Sequence, residues 1–501
     1  MHETKGLILV HDTDDAAIAL ADLSKGETYT VAGHTLTLAT DIPFGHKVAL
    51  RSIKKGENIV KYGNPIGHAT QDIPCGAHIH THNLATNLSG VIEYTYHPDR
   101  ARIDQFAKNT HTATFEGYPR ADGRVGVRNE LWIVPTVGCI NQTASRLAAQ
   151  AKAEFGHLFD DVCAYTHNMG CSQLGDDQVT TMRLLAGIIA NPNAGAVLVL
   201  SLGCENNHLE VFRPYLAQTD QSHIRFLVTQ EVEDEYAAGM ELLRDLAHTC
   251  GGQQRQTVPA SKLVLGFKCG GSDAFSGLTA NALCGRLNDR VVHCGGSTVL
   301  TEVPEMFGAE HLLMERCINE QVFDQTVCLI NAYKNYFARY GQAIYENPSP
   351  GNKKGGISSL EEKSLGCIQK GGQAPVIGVL QYGQPIQEGG LNLLTGSGND
   401  QVSCTNLVAS GATILCFTTG RGNPFGSPVP TVKISSNTAL AERKPHWIDF
   451  NAGQLLDGVS FDQATESFFQ YILAVASGKI HTNNETHGYK EISIFRDGVI
   501  L

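Results

Sequence analysis

The chain has 501 residues, 42% hydrophobic and 18% charged, which is too long for one ordinary core and too apolar for a disordered or fibrous chain; two or three domains are expected. Its 38 basic and 50 acidic residues leave a net charge of −12, which argues against a nucleic-acid or anionic-membrane binder, since either would present a basic surface. The opening Met1-His2-Glu3-Thr4-Lys5-Gly6 has neither the basic flank nor the apolar core of a signal segment, and apolar stretches such as 196–202 fall far short of the roughly 20 residues of a spanning helix. The 14 cysteines are scattered without a C-x-x-C pair, so a reduced, cytoplasmic protein is expected.

In chain order, short runs at 6–10, 28–32, 34–38, 47–52 and 58–62 read as strands of a small all-β module, separated by turn-rich pieces such as Lys54-Lys55-Gly56-Glu57-Asn58. Half of the 20 histidines lie at or before His111. In Ala77-His78-Ile79-His80-Thr81-His82-Asn83 the imidazoles share one face if the segment is a strand. Neutral imidazoles in such a group suit Fe, Zn, Mn or Cu, with a solvated histidine-rich face as the structural alternative. His11 and the pair His46-Lys47 belong to the same module. The polar stretch 98–116 reads as a linker.

From Gly117 onward, apolar strands alternate with helical patterns, which predicts parallel α/β architecture. Four of these strands end in a cysteine beside a glycine: Gly138-Cys139, Gly170-Cys171, Gly203-Cys204 and Cys269-Gly270. In open α/β sheets that edge binds ligands. The four thiols could ligate an iron–sulfur cluster, help bind one metal, or fill tight turns as small buried residues. Further strands at 376–380 and 413–417 follow, the second running into Thr418-Thr419-Gly420-Arg421-Gly422, where Arg421 is placed to fork a carboxylate. Glycine-rich loops at 269–273, 350–356 and 419–422 free backbone N–H groups for anionic oxygens, yet none fits a dinucleotide or P-loop pattern. Hydride transfer and ATP hydrolysis therefore lose their usual sequence support.

The run Gly117-Tyr118-Pro119-Arg120-Ala121-Asp122-Gly123-Arg124-Val125-Gly126-Val127-Arg128-Asn129-Glu130 resembles the altronate/galactarate dehydratase family. So do Gly170-Cys171-Ser172-Gln173, Gly203-Cys204-Glu205-Asn206-Asn207, Cys269-Gly270-Gly271-Ser272-Asp273, Asn347-Pro348-Ser349-Pro350-Gly351-Asn352-Lys353 and Trp447-Ile448-Asp449-Phe450-Asn451-Ala452-Gly453. The resemblance implies an SAF (β-clip) domain at 1–97, a linker at 98–116, and an α/β dehydratase region with parallel sheets in two parts, 117–255 and 256–501. It implies a hydro-lyase acting on a sugar acid, D-altronate converted to 2-dehydro-3-deoxy-D-gluconate in hexuronate catabolism. Galactarate or a sulfonated hydroxyacid are the alternative substrates, and a non-enzymatic carbohydrate-binding scaffold is the alternative class. Ferrous iron is the implied cofactor, with Mn²⁺ or an iron–sulfur cluster as alternatives, and a homodimer is the expected assembly. The expected catalytic residues are His46, Lys47, His167 and Arg421. Those expected to bind substrate are Arg128, Asn129, Gly271, Ser272, Asp273, Lys353, Gly420 and Arg421. The expected metal ligands are His11, His46, His80 and His82, or alternatively Cys139, Cys171, Cys204 and Cys269.

Overall fold

The computed structural model describes residues 2–4 and 6–501. The amino-terminal module is all β. An antiparallel five-stranded sheet in the order His2–Thr4, Leu7–Leu9, Ala16–Ala19, Lys47–Ala49, His78–Ile79 lies beside a three-stranded one of Asn58–Lys61, Asn64–Ala69 and Leu84–Ala85. Leu7, Leu9, Ala17, Ala19, Val48 and Leu50 fill one small core. On the other side Ile53, Ile59, Ile66 and Ile79 join the main core of the carboxyl-terminal region. The module is therefore packed into the rest of the chain.

Residues 98–116 are not a free linker. Asp99 caps the helix Arg100–Phe106 by accepting from the Arg102 N–H. Phe106 is buried and stacks on His293 with ring centroids 4.1 Å apart. The strand Thr114–Pro119 then pairs antiparallel with Gln256–Pro259. The stretch looks like a linker in sequence because its few apolar residues are single anchors without a period.

The middle region is a four-stranded parallel sheet in the order Val162–Ala164, Glu130–Pro135, Ala194–Ser201, Ile224–Val228. All eight residues of Ala194–Ser201 are buried, as expected of a parallel strand covered by helices on both faces. Helices Asn141–Phe155 and Glu235–Cys250 cover one face and Gly175–Ile189 the other.

The carboxyl-terminal sheet has seven parallel strands in the order Val376–Leu380, Gly390–Leu394, Ser297–Leu300, Val264–Cys269, Ile414–Thr419, Thr431–Ser435, Phe450–Asn451. The chain starts at Val264–Cys269, builds outward through Ser297–Leu300, then returns to the opposite side at Ile414–Thr419. The carboxyl ends of Val264–Cys269 and Ile414–Thr419 thus flank the point where strand order reverses, where such folds open a crevice for ligands. The carboxyl-terminal tail returns to the middle region: Lys490 bonds Glu130 and Asp161, and the Leu501 N–H donates to the Ser172 carbonyl. Among the described residues, no helix is long and apolar enough to cross a membrane.

Candidate functional site

The β module meets the carboxyl-terminal region along the segment 354–362. Gly356 has φ +97°, and a Cβ there would stand 2.3 Å from the Gly45 carbonyl oxygen, so only glycine lets the two backbones approach this closely. Lys47 Nζ donates to the Gly356 carbonyl (2.8 Å), to Ser358 Oγ (2.7 Å) and to Glu362. Lys61 Nζ reaches the other oxygen of the same carboxylate at 2.7 Å. Burial works against the Glu362 charge, yet the two ammonium groups hold its pKa down to about 2. Burial in turn pushes Lys47 down to about 8, against the pull of Glu362.

Directly beside this lock stand His46, His78 and His80, whose candidate ligand atoms all lie within 4.8 Å of one another. His46 Nδ1 is 2.9 Å from His78 Nε2, His46 Nε2 approaches the Lys354 carbonyl at 3.4 Å, and His80 Nδ1 is 2.9 Å from Ser358 Oγ. Burial, reinforced by His46 and the other neighbouring rings, pushes His78 down to about 3. Burial and the Lys47 charge push His80 down to about 4. The rings are therefore neutral at pH 7, with lone pairs available. The 2.9 Å approach of two ring nitrogens needs either a shared proton or a cation in its place, so this donor set fits an imidazole-bound divalent ion. Outer partners of the Ser358 and Lys354 kind fix ring orientation at metal sites.

The strand expected across the histidine run stops early. Only His78–Ile79 is extended. Asn83 then turns the chain, accepting from the His80 N–H at 2.9 Å and donating to the His78 carbonyl at 2.9 Å. His82 is left exposed with its ring 5.3 Å from that of His78, outside the triad. His11 also lies outside it: its exposed ring stacks over Gly63 and bonds Thr13. His78 takes the place expected for these two, and the H-x-H-x-H run itself carried that signal.

The opposing wall comes from the switch point of the seven-stranded sheet. Gly271 is exposed with φ +67°, and its carbonyl accepts from the N–H groups of Gly420 and Arg421. Arg421 lies close to Gly351, whose added Cβ would be 3.9 Å from Arg421 Nε. Asn352 Nδ2 donates to the Ser272 carbonyl at 2.8 Å, joining the 349–356 loop to the glycine loop. Among the described residues, no hydrogen bond or ion pair engages the guanidinium of Arg421 or the ammonium of Lys353. Two unpaired cations therefore flank the loop that also touches His46.

Other expected site residues are spent inside the fold. Asp273 is buried and accepts from Ser276, Ser436 and Asn437, while burial raises its pKa. It braces Gly420, where a Cβ would fall 2.2 Å from the Asp273 carboxyl carbon. Arg128 is buried in an ion pair with Glu485 at 2.6 Å and donates to the Val475 carbonyl. Asn129 bonds Arg120 and the Cys250 carbonyl. His167 is buried with Nε2 on the Pro135 carbonyl and Nδ1 accepting from the Met169 N–H, so neither ring nitrogen is free. Lys47 is sealed in its lock. The four strand-end cysteines do not form one set, because their strands belong to two sheets: Cys139, Cys171 and Cys204 are exposed on the middle sheet, and Cys269 is buried in the other. Ser358 and Glu362 were absent from the sequence expectations. The pattern Ser359-x-x-Glu362 could have flagged a helix start there, since Ser359 Oγ accepts from the Glu362 N–H at 3.2 Å.

The comparisons with known proteins agree with this three-part layout. Residues 5–87 match the altronate/galactarate dehydratase SAF domain, 117–250 the D-galactarate dehydratase/altronate hydrolase second domain, and 260–500 the D-galactarate/altronate dehydratase carboxyl-terminal domain. Altronate dehydratase of Bacillus subtilis (strain 168) is 50% identical over 500 residues, covering 99% of this chain and 100% of the relative. Altronate dehydratase of Escherichia coli (strain K12) is 47% identical over 496 residues, 99% of each chain. Galactarate dehydratase (L-threo-forming) of Escherichia coli (strain K12) is 34% identical over 507 residues, 97% of this chain and 96% of the relative. With every region matched and likeness running end to end, the chain belongs to the altronate/galactarate dehydratase family of hydro-lyases.

Proposed function

We propose that the chain dehydrates D-altronate to 2-dehydro-3-deoxy-D-gluconate, and that His46, His78 and His80 hold a divalent cation, Fe²⁺ first and Mn²⁺ as a substitute. The observation that carries this reading is the neutral imidazole triad set against the loop of Lys353, with Arg421 and Lys353 beside it and unpaired among the described residues. Bound there, the cation would supply Lewis acidity to a carboxylate and a neighbouring hydroxyl. Arg421 forks the substrate carboxylate, and Lys353 adds a second positive charge. Gly271, exposed at the loop tip, offers small, polar backbone surface to the sugar chain. Elimination needs a base for the C2 proton, and an exposed ring nitrogen of His82, outside the triad, takes it. The C3 hydroxyl leaves with a proton as water, and the enol tautomerises to the 2-keto acid.

Purified protein is loaded with Fe²⁺ without air and offered D-altronate, galactarate and sulfolactate in parallel. Formation of a 2-keto-3-deoxy acid from altronate is expected. Turnover of galactarate alone would replace the substrate, and full activity in rigorously metal-free protein would refute the cation.

A further inference from the structure

A second group of metal-ligating side chains lies in the carboxyl-terminal core, and the dehydration chemistry does not use it. Cys269 ends the central strand Val264–Cys269, Glu305 ends the short turn Val303–Glu305, and Cys367 ends the helix Leu360–Cys367. All three are buried, and their ligand atoms lie within 4.8 Å of one another. The two sulfurs are 3.4 Å apart, and both thiols point at the same carboxylate oxygen, Glu305 Oε2, at 3.2 and 3.0 Å. The other oxygen, Oε1, is anchored by Lys363 Nζ at 2.9 Å and Asn347 Nδ2 at 3.1 Å. The carboxylate is thus held from behind, with one oxygen turned toward the thiols.

The surroundings carry a second signal. Lys370 is fully buried, and its Nζ has no hydrogen-bond partner among the described residues, although Glu302 Oε2 lies 3.1 Å away. A buried ammonium that has an ionic neighbour but no well-directed hydrogen bond is incompletely satisfied, which costs free energy. Glu302 occupies the left-handed region, with φ 68°, a conformation that a non-glycine residue keeps only when its surroundings over-determine it.

We infer that Cys269, Cys367 and Glu305 form a second cation site, selective for a soft divalent ion such as Zn²⁺ and separate from the histidine triad. Two thiol protons leave as one divalent ion enters, so the net charge of the site does not change and the ion pairs of Lys268, Lys363 and Lys370 persist. A disulfide is the competing use of the same sulfurs, and distance decides between them. Zn–S bonds of about 2.3 Å at a tetrahedral angle put two thiolates roughly 3.8 Å apart, a few tenths from what the fold holds. A disulfide requires closure to about 2.05 Å, more than 1 Å of movement in a packed core, and it leaves a carboxylate oxygen aimed at both sulfurs without a role. Glu302 Oε1, 3.5 Å from Cys269 Sγ, is the next donor in reach. Such an ion would tie together three segments under the crevice: the strand leading into the Gly270–Asp273 loop, the turn after Ser297–Leu300, and the helix whose start locks the β module.

The site is sealed, so the test introduces the metal during synthesis. The full chain is produced in cobalt-supplemented medium, purified without air, and examined for metal content and for thiolate-to-Co²⁺ charge-transfer absorption in the near ultraviolet. Wild type and His80→Ala should both show the band. Cys367→Ser should lose it together with one cation per chain, while far-ultraviolet circular dichroism remains that of the wild type. Glu305→Gln, nearly isosteric, should keep both thiols yet bind Co²⁺ at least about tenfold more weakly. It serves as the readout if the cysteine variant does not fold. Absence of the band in wild type would overturn the proposal, as would an undiminished band in Cys367→Ser or a native mass two hydrogens short with both thiols blocked. Cobalt bound without the near-ultraviolet band, and lost in His80→Ala, would assign the metal to the triad alone and overturn the proposal. Failure of altronate turnover with the band intact would strike the proposed reaction and leave this site standing.

Discussion

The two parallel sheets repeat one local device, an apolar strand ending in a cysteine beside a glycine, and put it to different uses. At the edge of the middle sheet the polar groups satisfy one another. Glu205 accepts from Thr136, Ser201 and the N–H groups of Leu202 and Gly203, His167 spends both nitrogens on backbone, and the Gln173 side-chain oxygen accepts from the Gly170 N–H. At the edge of the carboxyl-terminal sheet the cysteine is buried under charged side chains, while Gly271 and Arg421 stay exposed with bonding capacity left over. A recurring sequence motif therefore marks a tight turn in one sheet and the wall of a crevice in the other. Strand order reverses in both sheets, beside Glu130–Pro135 and Ala194–Ser201 as well as beside Val264–Cys269 and Ile414–Thr419, so what separates the two edges is whether neighbouring side chains consume the polar groups there.

The largest expected effect tests whether the metal chemistry belongs to the crevice. His80→Ala removes one donor of the triad and should lower bound iron at least about tenfold, with turnover falling about a hundredfold or more. Iron content and turnover are measured on the same anaerobic samples. Unchanged iron would move the metal away from the histidines.

Glu362→Gln tests the lock that brings the histidines to the crevice. The substitution leaves Lys47 and Lys61 buried without their carboxylate, a loss of about 3–5 kcal/mol for breaking a buried pair. Urea unfolding at pH 7 should register it. The pH dependence has a definite sign. The Glu362 pKa in the fold is near 2, against 4.5 for an ordinary glutamate. Its stabilisation is therefore complete above pH 4.5 and lost as pH falls from there through 2. In Glu362→Gln that part of the acid sensitivity should vanish, and an unchanged acid limb would mean that titration of this carboxylate does not set it.

The sequence disclosed the crevice better than the roles within it. The three-part layout, the Gly270–Asp273 loop, Arg421 and the histidine run are all local patterns, and each was legible. Which groups remain free is a tertiary property. Arg128 and Asp273 stand in motif-like runs with the right chemistry for a hydroxy acid, a guanidinium for its carboxylate and a carboxyl for its hydroxyls, yet Glu485 and Ser436, 357 and 163 residues away in sequence, consume them. His78 looked like one imidazole among many until Asn83 turned the chain after it. Strands Thr431–Ser435 and Gly390–Leu394 were overlooked because Lys433 and Asn392 interrupt their apolar runs, although both residues are buried.

Arg421→Lys probes the free cation of the crevice. It keeps the charge and loses the planar fork. One charge-assisted hydrogen bond contributes about 1.5–3 kcal/mol, so kcat/KM should fall about 10- to 150-fold while the melting temperature stays put. The contrasting variant is Arg128→Lys, which should lower the melting temperature through its ion pair with Glu485 and leave the KM of the folded enzyme unchanged. A KM effect at Arg128 with none at Arg421 would exchange their roles.

The smallest expected effect lies on the other sheet. Cys204 is exposed, and among the described residues its sulfur accepts a single 3.4 Å contact, from Gln230 Nε2. Its loop is held by the neighbouring Glu205 carboxylate, which bonds the N–H groups of Leu202 and Gly203 at 3.1 and 2.6 Å. Cys204→Ala removes a sulfur without touching that brace or creating a buried cavity, so stability should change by no more than about 0.5 kcal/mol. Iron content and kcat should match wild type, because the triad proposed to hold the cation lies in a different part of the molecule. Cys139 and Cys171, exposed on the same edge, should behave alike. If any of these three substitutions instead bleaches visible absorbance and strips iron, the middle sheet carries a thiolate-bound cluster, and the two edges would then divide the chemistry between them.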